Sequence, residues 1–216
     1  MIVDTHLHLI YRSRLAYPWL SAVPPLDADF TYDLYEREAR RLGIVSALHM
    51  EVDVAPDQIE RETDFVADLA AQEGSLLAGA IASCRPEDPE FAAYLERARS
   101  HSFVKGFRRV LHVMPDDLSE GPIFRENIRR LAGSGLTFDL CVLPHQLAKA
   151  MALVDLAPDV SFVLDHCGVP DVKGGGFDVW KGPMSEIARR SNVTVKLSGL
   201  PAYGTDNWTL EDLKPY

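Results

Sequence analysis

The stretch IVDTHLHL, residues 2–9, begins the pattern from which the fold of this chain is predicted. It is a short apolar strand that ends in a His-x-His pattern formed by His6 and His8. Successive side chains of a strand point to opposite faces, so these two imidazoles point the same way. Two imidazoles at the end of one strand can bind one divalent cation or polarise one carbonyl group. The alternative interpretation is a polar patch near a chain terminus.

Apolar, β-branched runs recur after this strand and alternate with amphipathic segments. Further strands are predicted at Ile44–Glu51, Leu76–Ser83, Phe103–Leu111, Leu136–Val142, Val160–His166 and Val193–Ser198. Helices are predicted at Asp33–Leu42, Gln58–Gln72, Phe91–Ser100, Ile123–Leu131, Gln146–Leu156 and Pro183–Arg190. Strands that alternate with helices about every thirty residues are typical of parallel βα units.

Seven such units predict an α/β protein of the (β/α)₈ TIM-barrel class, whose active sites lie at the carboxyl ends of the strands. We identify seven strands and no eighth strand after Ser198, so the expected barrel is truncated or incomplete, or it closes in an unusual way. Residues 1–216 are predicted to form a single domain that is short at its C-terminal end. No linker, repeat or low-complexity tract interrupts it.

Composition narrows the class of protein. Hydrophobic residues make up 47% of the chain, and no apolar run approaches the roughly 18 residues of a membrane span. The net charge of −10 argues against a nucleic-acid partner. Cys84, Cys141 and Cys167 lack a C-x-x-C spacing, which favours reduced thiols. Together with an N-terminus that lacks a basic segment, these features predict a cytoplasmic protein with no membrane partner. Assembly into a homo-oligomer is left open.

Polar residues at the ends of predicted strands two and four are candidates for chemistry. Strand two ends in His49-Met-Glu51, and its alternation predicts that His49 and Glu51 face the barrel axis. The alternative for Glu51 is a solvated carboxylate. One of Arg108 and Arg109 is expected to face inward, where a guanidinium fits a substrate carboxylate as a bidentate fork. The alternative is that both arginines extend outward into solvent. His112 shares the parity of Arg108.

Strands six and seven supply further candidates. His166 ends strand six next to a glycine turn and offers a third imidazole, although a satisfied core histidine is the alternative. Strand seven ends with Lys196 and Ser198 on one face, and a lysine inside a barrel needs an anion. The glycine-rich segment from Lys173 to Trp180 lacks the P-loop spacing and is predicted to form a mobile lid near the active-site mouth.

Five motifs together give the chain a family resemblance. They are Asp4-Thr-His6-Leu-His8-Leu, Tyr17-Pro-Trp-Leu, Lys105-Gly-Phe-Arg108, Leu164-Asp-His166-Cys-Gly and Val195-Lys-Leu-Ser-Gly199. In this combination and order the chain resembles the amidohydrolase superfamily, and within it the lactonase-like branch of sugar-lactone hydrolases and 2-pyrone-4,6-dicarboxylate lactonase. The resemblance covers the whole chain.

The resemblance implies a hydrolase that opens a lactone ring with activated water. The metal ligands that it implies are His6, His8, His166 and Glu51. Such a set suits one divalent ion, zinc or manganese, and in members that work without a metal the catalytic imidazoles of His6, His8 and His166 hydrogen-bond the carbonyl oxygen directly. The residues expected to bind substrate are Arg108, Lys196, His112, Ser198 and Trp180. The aspartate of the family's strand eight, its general base, has no counterpart here. Lys105 has the opposite parity to Arg108, so a two-metal centre is not expected.

Three functions follow from this interpretation. The first is hydrolysis of a sugar lactone or of a carboxylated lactone, each a small-molecule substrate. The second is decarboxylation of an aromatic or unsaturated acid, because related barrels perform it with a similar histidine cluster. The third is an inactive, truncated barrel.

Overall fold

The computed structural model describes residues 1–216, which form two compact units. The first unit comprises Met1–Cys84 and Glu96–Arg108, and the second comprises Arg85–Leu95 and Arg109–Tyr216. The strands are β1 Ile2–Leu7, β2 Ile44–Met50, β3 Leu77–Ser83, β4 Val104–Val110, β5 Thr137–Cys141, β6 Ser161–Leu164 and β7 Val193–Val195. The helices are α1 Tyr32–Arg41, α2 Ile59–Ala70, α3 Phe91–Ser100, α4 Pro122–Arg129, α5 Leu147–Leu156, α6 Phe177–Ile187 and α7 Leu210–Leu213.

In the first unit, β1 pairs with β2, β2 with β3, and β3 with β4, and every pair is parallel. The apolar faces of these strands pack against α1 and α2. Leu7, Ala47 and Leu77 form one buried cluster with Tyr32 of α1 and Val66 of α2. The strands therefore hold their carboxyl ends in fixed relation because the helices cover one face of the sheet.

The Tyr-Pro-Trp segment after β1 packs against the chain that follows β2. Tyr17 lies in a second buried cluster with Val52 and Val54. The indole N–H of Trp19 donates a hydrogen bond of 2.9 Å to the carbonyl of Val52, and the hydroxyl of Tyr17 accepts one of 3.0 Å from the amide of Tyr11. These contacts fix the backbone immediately after Glu51.

In the second unit, β5 pairs with β6 and β6 with β7, again in parallel. Three fully buried phenylalanines form the centre of its core. Phe138 of β5 makes edge-to-face contacts with Phe124 of α4 at 6.4 Å and with Phe162 of β6 at 6.2 Å between ring centroids. Burial of each such ring stabilises the unit by about 1.5–3 kcal/mol.

The predicted elements all exist, although most of their boundaries are shifted by one or more residues. β2 ends at Met50, β6 at Leu164 and β7 at Val195, each before the predicted end. Backbone hydrogen bonds to the neighbouring strand continue for one residue beyond two of these ends, from the amide of Glu51 to the carbonyl of Ile81 and from the amide of Lys196 to the carbonyl of Leu164, each at 2.9 Å. Helix α6 begins at Phe177 and contains Pro183 in its interior, so the prediction that the helix starts at Pro183 is wrong. Proline is favoured in the first helical turn, which made it resemble a start.

Candidate active site

His6 and His8 of the first unit direct a ring nitrogen at each other. Their Nε2 atoms lie 3.2 Å apart, and the rings are nearly perpendicular at 87°. Two nitrogen ligands of a tetrahedral zinc ion, each about 2.0–2.1 Å from the metal, lie about 3.4 Å from one another. The pair therefore has the donor atoms and the spacing of two ligands of one divalent ion, and the structure places no third histidine, cysteine, aspartate or glutamate side chain with them as a ligand group.

The tautomer of His8 is set by a backbone carbonyl. Nδ1 of His8 lies 3.0 Å from the carbonyl oxygen of Met50, which can only accept, so Nδ1 carries the proton and Nε2 presents its lone pair. His8 is an exposed residue by surface area, yet desolvation by the atoms packed around it, and then the positive charge of Arg108, lower the pKa of His8 to about 3. His8 is therefore neutral near pH 7, as a metal ligand must be.

Asp4 ties the end of β1 to helix α1. Its Oδ1 accepts the amide hydrogen of His6 at 3.0 Å, and its Oδ2 accepts the hydroxyl hydrogen of Tyr35 at 2.9 Å. Burial, followed by the contact with Asp4, raises the pKa of Tyr35. The aspartate of the His-x-His motif thus fixes the backbone that carries His6.

Glu51 and Arg108 form a buried ion pair in the first unit, with only 1% and 5% of their surface exposed. Nε of Arg108 donates to Oε1 of Glu51 at 2.5 Å, and Nη2 donates to the Glu51 carbonyl at 2.7 Å. The amide of Asp53 donates to Oε2 at 2.7 Å. Burial by itself raises the pKa of Glu51, but Arg108 and the Asp53 amide outweigh it and leave the pKa below its usual value.

Neither arginine of β4 extends into solvent, so that alternative is wrong. Arg109, in the second unit, is 5% exposed and donates through Nε and Nη2 to Oε1 of Glu87 at 2.9 and 2.7 Å. Arg108 was expected to hold a substrate carboxylate with its guanidinium group, but this group binds the carboxylate of Glu51. The metal-ligand role of Glu51 and the substrate role of Arg108 stay predictions.

His49 does not face the barrel axis with Glu51, and that expectation is wrong. Its Nε2 lies 3.3 Å from Oε1 of Glu62 in helix α2, so the side chain points to the helix side of the sheet. His49 shares the parity of Ala47, which packs against Val66 of helix α2, so alternation itself places His49 on the helix side. The prediction assigned this parity to the wrong face of the sheet.

In the second unit, Lys196 lies between two buried carboxylates. Its Nζ is 2.6 Å from Oδ2 of Asp139 in β5 and 2.8 Å from Oδ1 of Asp165, which follows β6. The aspartates are 1% and 0% exposed. Lys196 therefore finds its anions within the protein. Asp139 was missed in the sequence, although a charge in the middle of an apolar strand was an available signal.

His166 lies in a left-handed turn of four residues. The φ angles of His166, Cys167, Gly168 and Val169 are 51°, 55°, 69° and 51°. A β-branched residue such as Val169 rarely adopts this conformation, so the turn needs support from its surroundings. Nδ1 of His166 is 2.9 Å from the hydroxyl oxygen of Ser198, which fixes the ring.

Trp180 supports this turn from helix α6. It is buried, and its indole N–H donates a hydrogen bond of 2.7 Å to the carbonyl of Cys167. The predicted lid from Lys173 to Trp180 is wrong in its second half, because Phe177 begins the helix. The physical reason is that Trp180 is fixed on the turn by this hydrogen bond. The role of Trp180 in substrate binding stays a prediction.

His112 contacts a cysteine at the end of the neighbouring strand. Its Nδ1 is 3.0 Å from Sγ of the buried Cys141, and its amide donates to the Cys141 carbonyl at 3.1 Å. Burial raises the pKa of the thiol of Cys167, which follows β6. A raised pKa disfavours the thiolate, the form in which a cysteine acts as a nucleophile. All three cysteines are buried, and none of them forms a disulfide bond.

The structure brings some predicted site residues together. The contacts are His6 with His8, Glu51 with Arg108, and His166 with Ser198. The prediction that His166 joins the His6–His8 pair stays a prediction. Lys105 is exposed and donates to the carbonyl of Ser102. None of the helices combines the length and the apolar character that a membrane crossing requires.

Replacement of Gly199 is expected to disturb His166. Gly199 has φ of 77°, and a Cβ atom there would lie 3.0 Å from Cβ and 3.1 Å from Cγ of His166. We expect Gly199→Ala to lower the free energy of unfolding by about 2–3 kcal/mol, because the left-handed backbone costs about 1–2 kcal/mol and the contact adds to it. Urea denaturation measures this.

Gly133→Ala is the matched control, because Gly133 has φ of 70° and no atom within 4 Å of its added Cβ. Its free energy of unfolding should fall only by the cost of the left-handed backbone, about 1–2 kcal/mol. Equal losses in the two variants would show that the contact between residue 199 and His166 carries no energy.

Comparison with known proteins identifies the family. The model of the amidohydrolase family matches residues 3–216. The chain belongs to the amidohydrolase family. A curated relative, the L-fucono-1,5-lactonase of Burkholderia ambifaria, is 27% identical over 216 residues, which are 99% of this chain and 73% of the relative.

Solved structures of amidohydrolases share the fold. An amidohydrolase from Burkholderia multivorans with bound zinc has a TM-score of 0.83 at 22% identity and covers 98% of this chain and 75% of its own. A probable 2-pyrone-4,6-dicarboxylic acid hydrolase from Acinetobacter baumannii, with citric acid bound, has a TM-score of 0.76 at 14% identity and covers 99% and 74%. These likenesses confirm the predicted class, an incomplete (β/α)₈ barrel with seven strands.

Proposed function

We propose that this amidohydrolase hydrolyses the ester bond of a sugar lactone, with one zinc or manganese ion held by His6, His8 and His166. The observation that carries the proposal is the His6–His8 pair, whose Nε2 atoms lie 3.2 Å apart. When bound, the ion would polarise the ring carbonyl and lower the pKa of a bound water. The chain's own contribution is to keep His8 neutral and to fix its tautomer through Met50.

The charges around the proposed site favour a neutral sugar lactone over a carboxylated one. The guanidinium of Arg108 lies against Glu51, and the ammonium of Lys196 lies between Asp139 and Asp165. Each cation therefore has a carboxylate of the protein beside it, which offsets the attraction for a substrate carboxylate. The relative that acts on L-fucono-1,5-lactone supports the same choice.

The side chains proposed to contact the substrate are of two kinds, neutral hydrogen-bonding groups and cations. Hydroxyl and imidazole groups can donate hydrogen bonds to the hydroxyls of a sugar and accept hydrogen bonds from them. The two cations, Arg108 and Lys196, already hold carboxylates of the protein and would orient those carboxylates. The proposed substrate contacts are Ser198, His112, Arg108, Lys196 and Trp180. Glu51 stays a proposed further ligand of the ion. Three free, buried cysteines support a reducing, cytoplasmic compartment.

The test is lactone hydrolysis by the purified chain. Opening of the ring adds water and gives a hydroxy acid, which releases one proton at neutral pH, so a pH indicator follows the reaction. We expect L-fucono-1,5-lactone to be hydrolysed at about 1 s⁻¹ or faster. A chelator should remove the activity, and about one equivalent of zinc or manganese per chain should restore it.

Other results would decide against parts of the proposal. Faster hydrolysis of 2-pyrone-4,6-dicarboxylate than of the sugar lactone would contradict the charge argument. Two metal equivalents per chain would contradict a single ion, and full activity after chelation would favour direct polarisation by the imidazoles. Loss of CO₂ from an aromatic acid, with no lactone hydrolysis, would favour a decarboxylase.

A further inference from the structure

Glu62 of helix α2 is a buried carboxylate that binds two groups near the end of β2. Its Oε1 accepts the amide hydrogen of Val52 at 2.9 Å and lies 3.3 Å from Nε2 of His49. Glu62 and His49 are 2% and 1% exposed. One carboxylate oxygen therefore holds the chain on each side of the dipeptide Met50-Glu51.

That dipeptide carries the groups that orient the proposed active site. The carbonyl of Met50 accepts the Nδ1 hydrogen of His8 at 3.0 Å. The carboxylate of Glu51 binds Arg108. Any movement of the backbone between residues 49 and 52 therefore changes the acceptor that fixes the tautomer of His8.

Burial of the polar pair Glu62 and His49 destabilises the fold more than apolar side chains at the same positions would. Oε2 of Glu62 and Nδ1 of His49 are buried and make no hydrogen bond with the protein. Burial, opposed in part by His49, raises the pKa of Glu62, so the site disfavours the charge of this group. Apolar side chains of similar volume would fill the same space at lower cost.

We propose that Glu62 is a positioning residue for His8, which acts by fixing the backbone acceptor of Met50. This inference rests on the proposed function for its consequence in metal binding and catalysis. The hydrogen bond that Nδ1 of His8 donates to the carbonyl of Met50 leaves Nε2 unprotonated, and loss of such an outer partner typically weakens metal binding by about 10–100-fold. Glu62 itself touches neither the substrate nor the ion in this proposal.

The test compares Glu62→Leu, which removes both contacts, with Glu62→Gln, which keeps an acceptor oxygen for the Val52 amide. Zinc affinity is measured by competition with a chromophoric chelator. We expect Glu62→Leu to bind zinc about 10–100-fold more weakly than the unchanged protein and Glu62→Gln to recover most of the affinity. Glu62→Ala serves as a second variant in case leucine prevents folding.

Tyr32→Phe is the matched control. The hydroxyl of the buried Tyr32 accepts the amide hydrogen of Leu76 at 2.7 Å, so this variant also loses a buried acceptor for a backbone amide in the first unit. It should shift the urea midpoint in the same direction as Glu62→Leu but leave zinc affinity within twofold. A similar loss of affinity in both variants would make Glu62 merely structural.

A second readout separates this inference from the proposed function. The ¹⁵N shifts of the His8 imidazole in the metal-free protein report its tautomer, and we expect Glu62→Leu to reduce the fraction protonated at Nδ1. If the unchanged protein binds no zinc or hydrolyses no lactone, the proposed function fails, while this tautomer measurement still decides the role of Glu62. An unchanged tautomer and unchanged zinc affinity in folded Glu62→Leu would overturn the inference.

Discussion

Lys196→Met is expected to lower the free energy of unfolding by about 3–5 kcal/mol, the range for a buried ion pair that loses one partner. Methionine keeps the length of the stem but removes the ammonium group that lies 2.6 Å from Asp139 and 2.8 Å from Asp165. Two carboxylates with almost no exposed surface then lose this countercharge. Urea denaturation followed by circular dichroism measures the change.

Two companion variants define the cause of this loss. Lys214→Met removes an exposed lysine that lies 3.7 Å from Glu211 in the same unit, and it should cost less than about 1 kcal/mol. Adding Asp165→Asn to Lys196→Met should restore part of the stability, because one buried charge is removed. If Lys196→Met stays within 1 kcal/mol of the unchanged protein, its ammonium is not the main countercharge.

The regular elements could be predicted because their signals are local. A short apolar run such as the one that forms β3 and an amphipathic segment such as α2 each carry a signal in their own residues. The alternation of the two then restricts the topology to parallel βα units. Helix α6 differs because Pro183 carries a strong local signal that the tertiary packing of Trp180 overrides.

The positions of site residues could be predicted only in part, because alternation relates two side chains to one another but does not say which face of the sheet they share. The parity of His6 and His8 predicted a facing pair, and their Nε2 atoms lie 3.2 Å apart. The same rule was applied to the wrong face for His49, which shares the parity of Ala47 and therefore points to the helices. The packing of the helices decides which face is which, and a strand sequence alone does not carry that information.

Pairings between distant residues had no signal in a single sequence. Glu51 and Arg108, like Asp139 and Lys196, are separated by 57 residues. Each residue alone predicted a polar group at a strand end, but the sequence does not state which charges neutralise one another. This difference changes the interpretation of Arg108 and Lys196, because a cation with a protein carboxylate beside it attracts an acidic substrate less strongly.

His8→Ala is expected to have the largest effect on function. The variant removes one of the two Nε2 atoms that lie 3.2 Å apart, so the proposed ion loses a direct ligand. Loss of an outer partner of a ligand costs about 10–100-fold in metal affinity, and loss of the ligand itself should exceed that range. We expect zinc affinity and kcat/KM for the sugar lactone to fall together by more than about 100-fold.

The control for His8→Ala is His101→Ala, which removes a histidine of the same unit that lies 3.7 Å from Asp64 and outside the proposed site. Its zinc affinity and kcat/KM should stay within twofold of those of the unchanged protein. Normal zinc affinity in His8→Ala would contradict the proposed ligand set. Weak zinc affinity with unchanged kcat/KM would separate metal binding from hydrolysis, because an ion that takes part in the reaction cannot be lost without loss of rate.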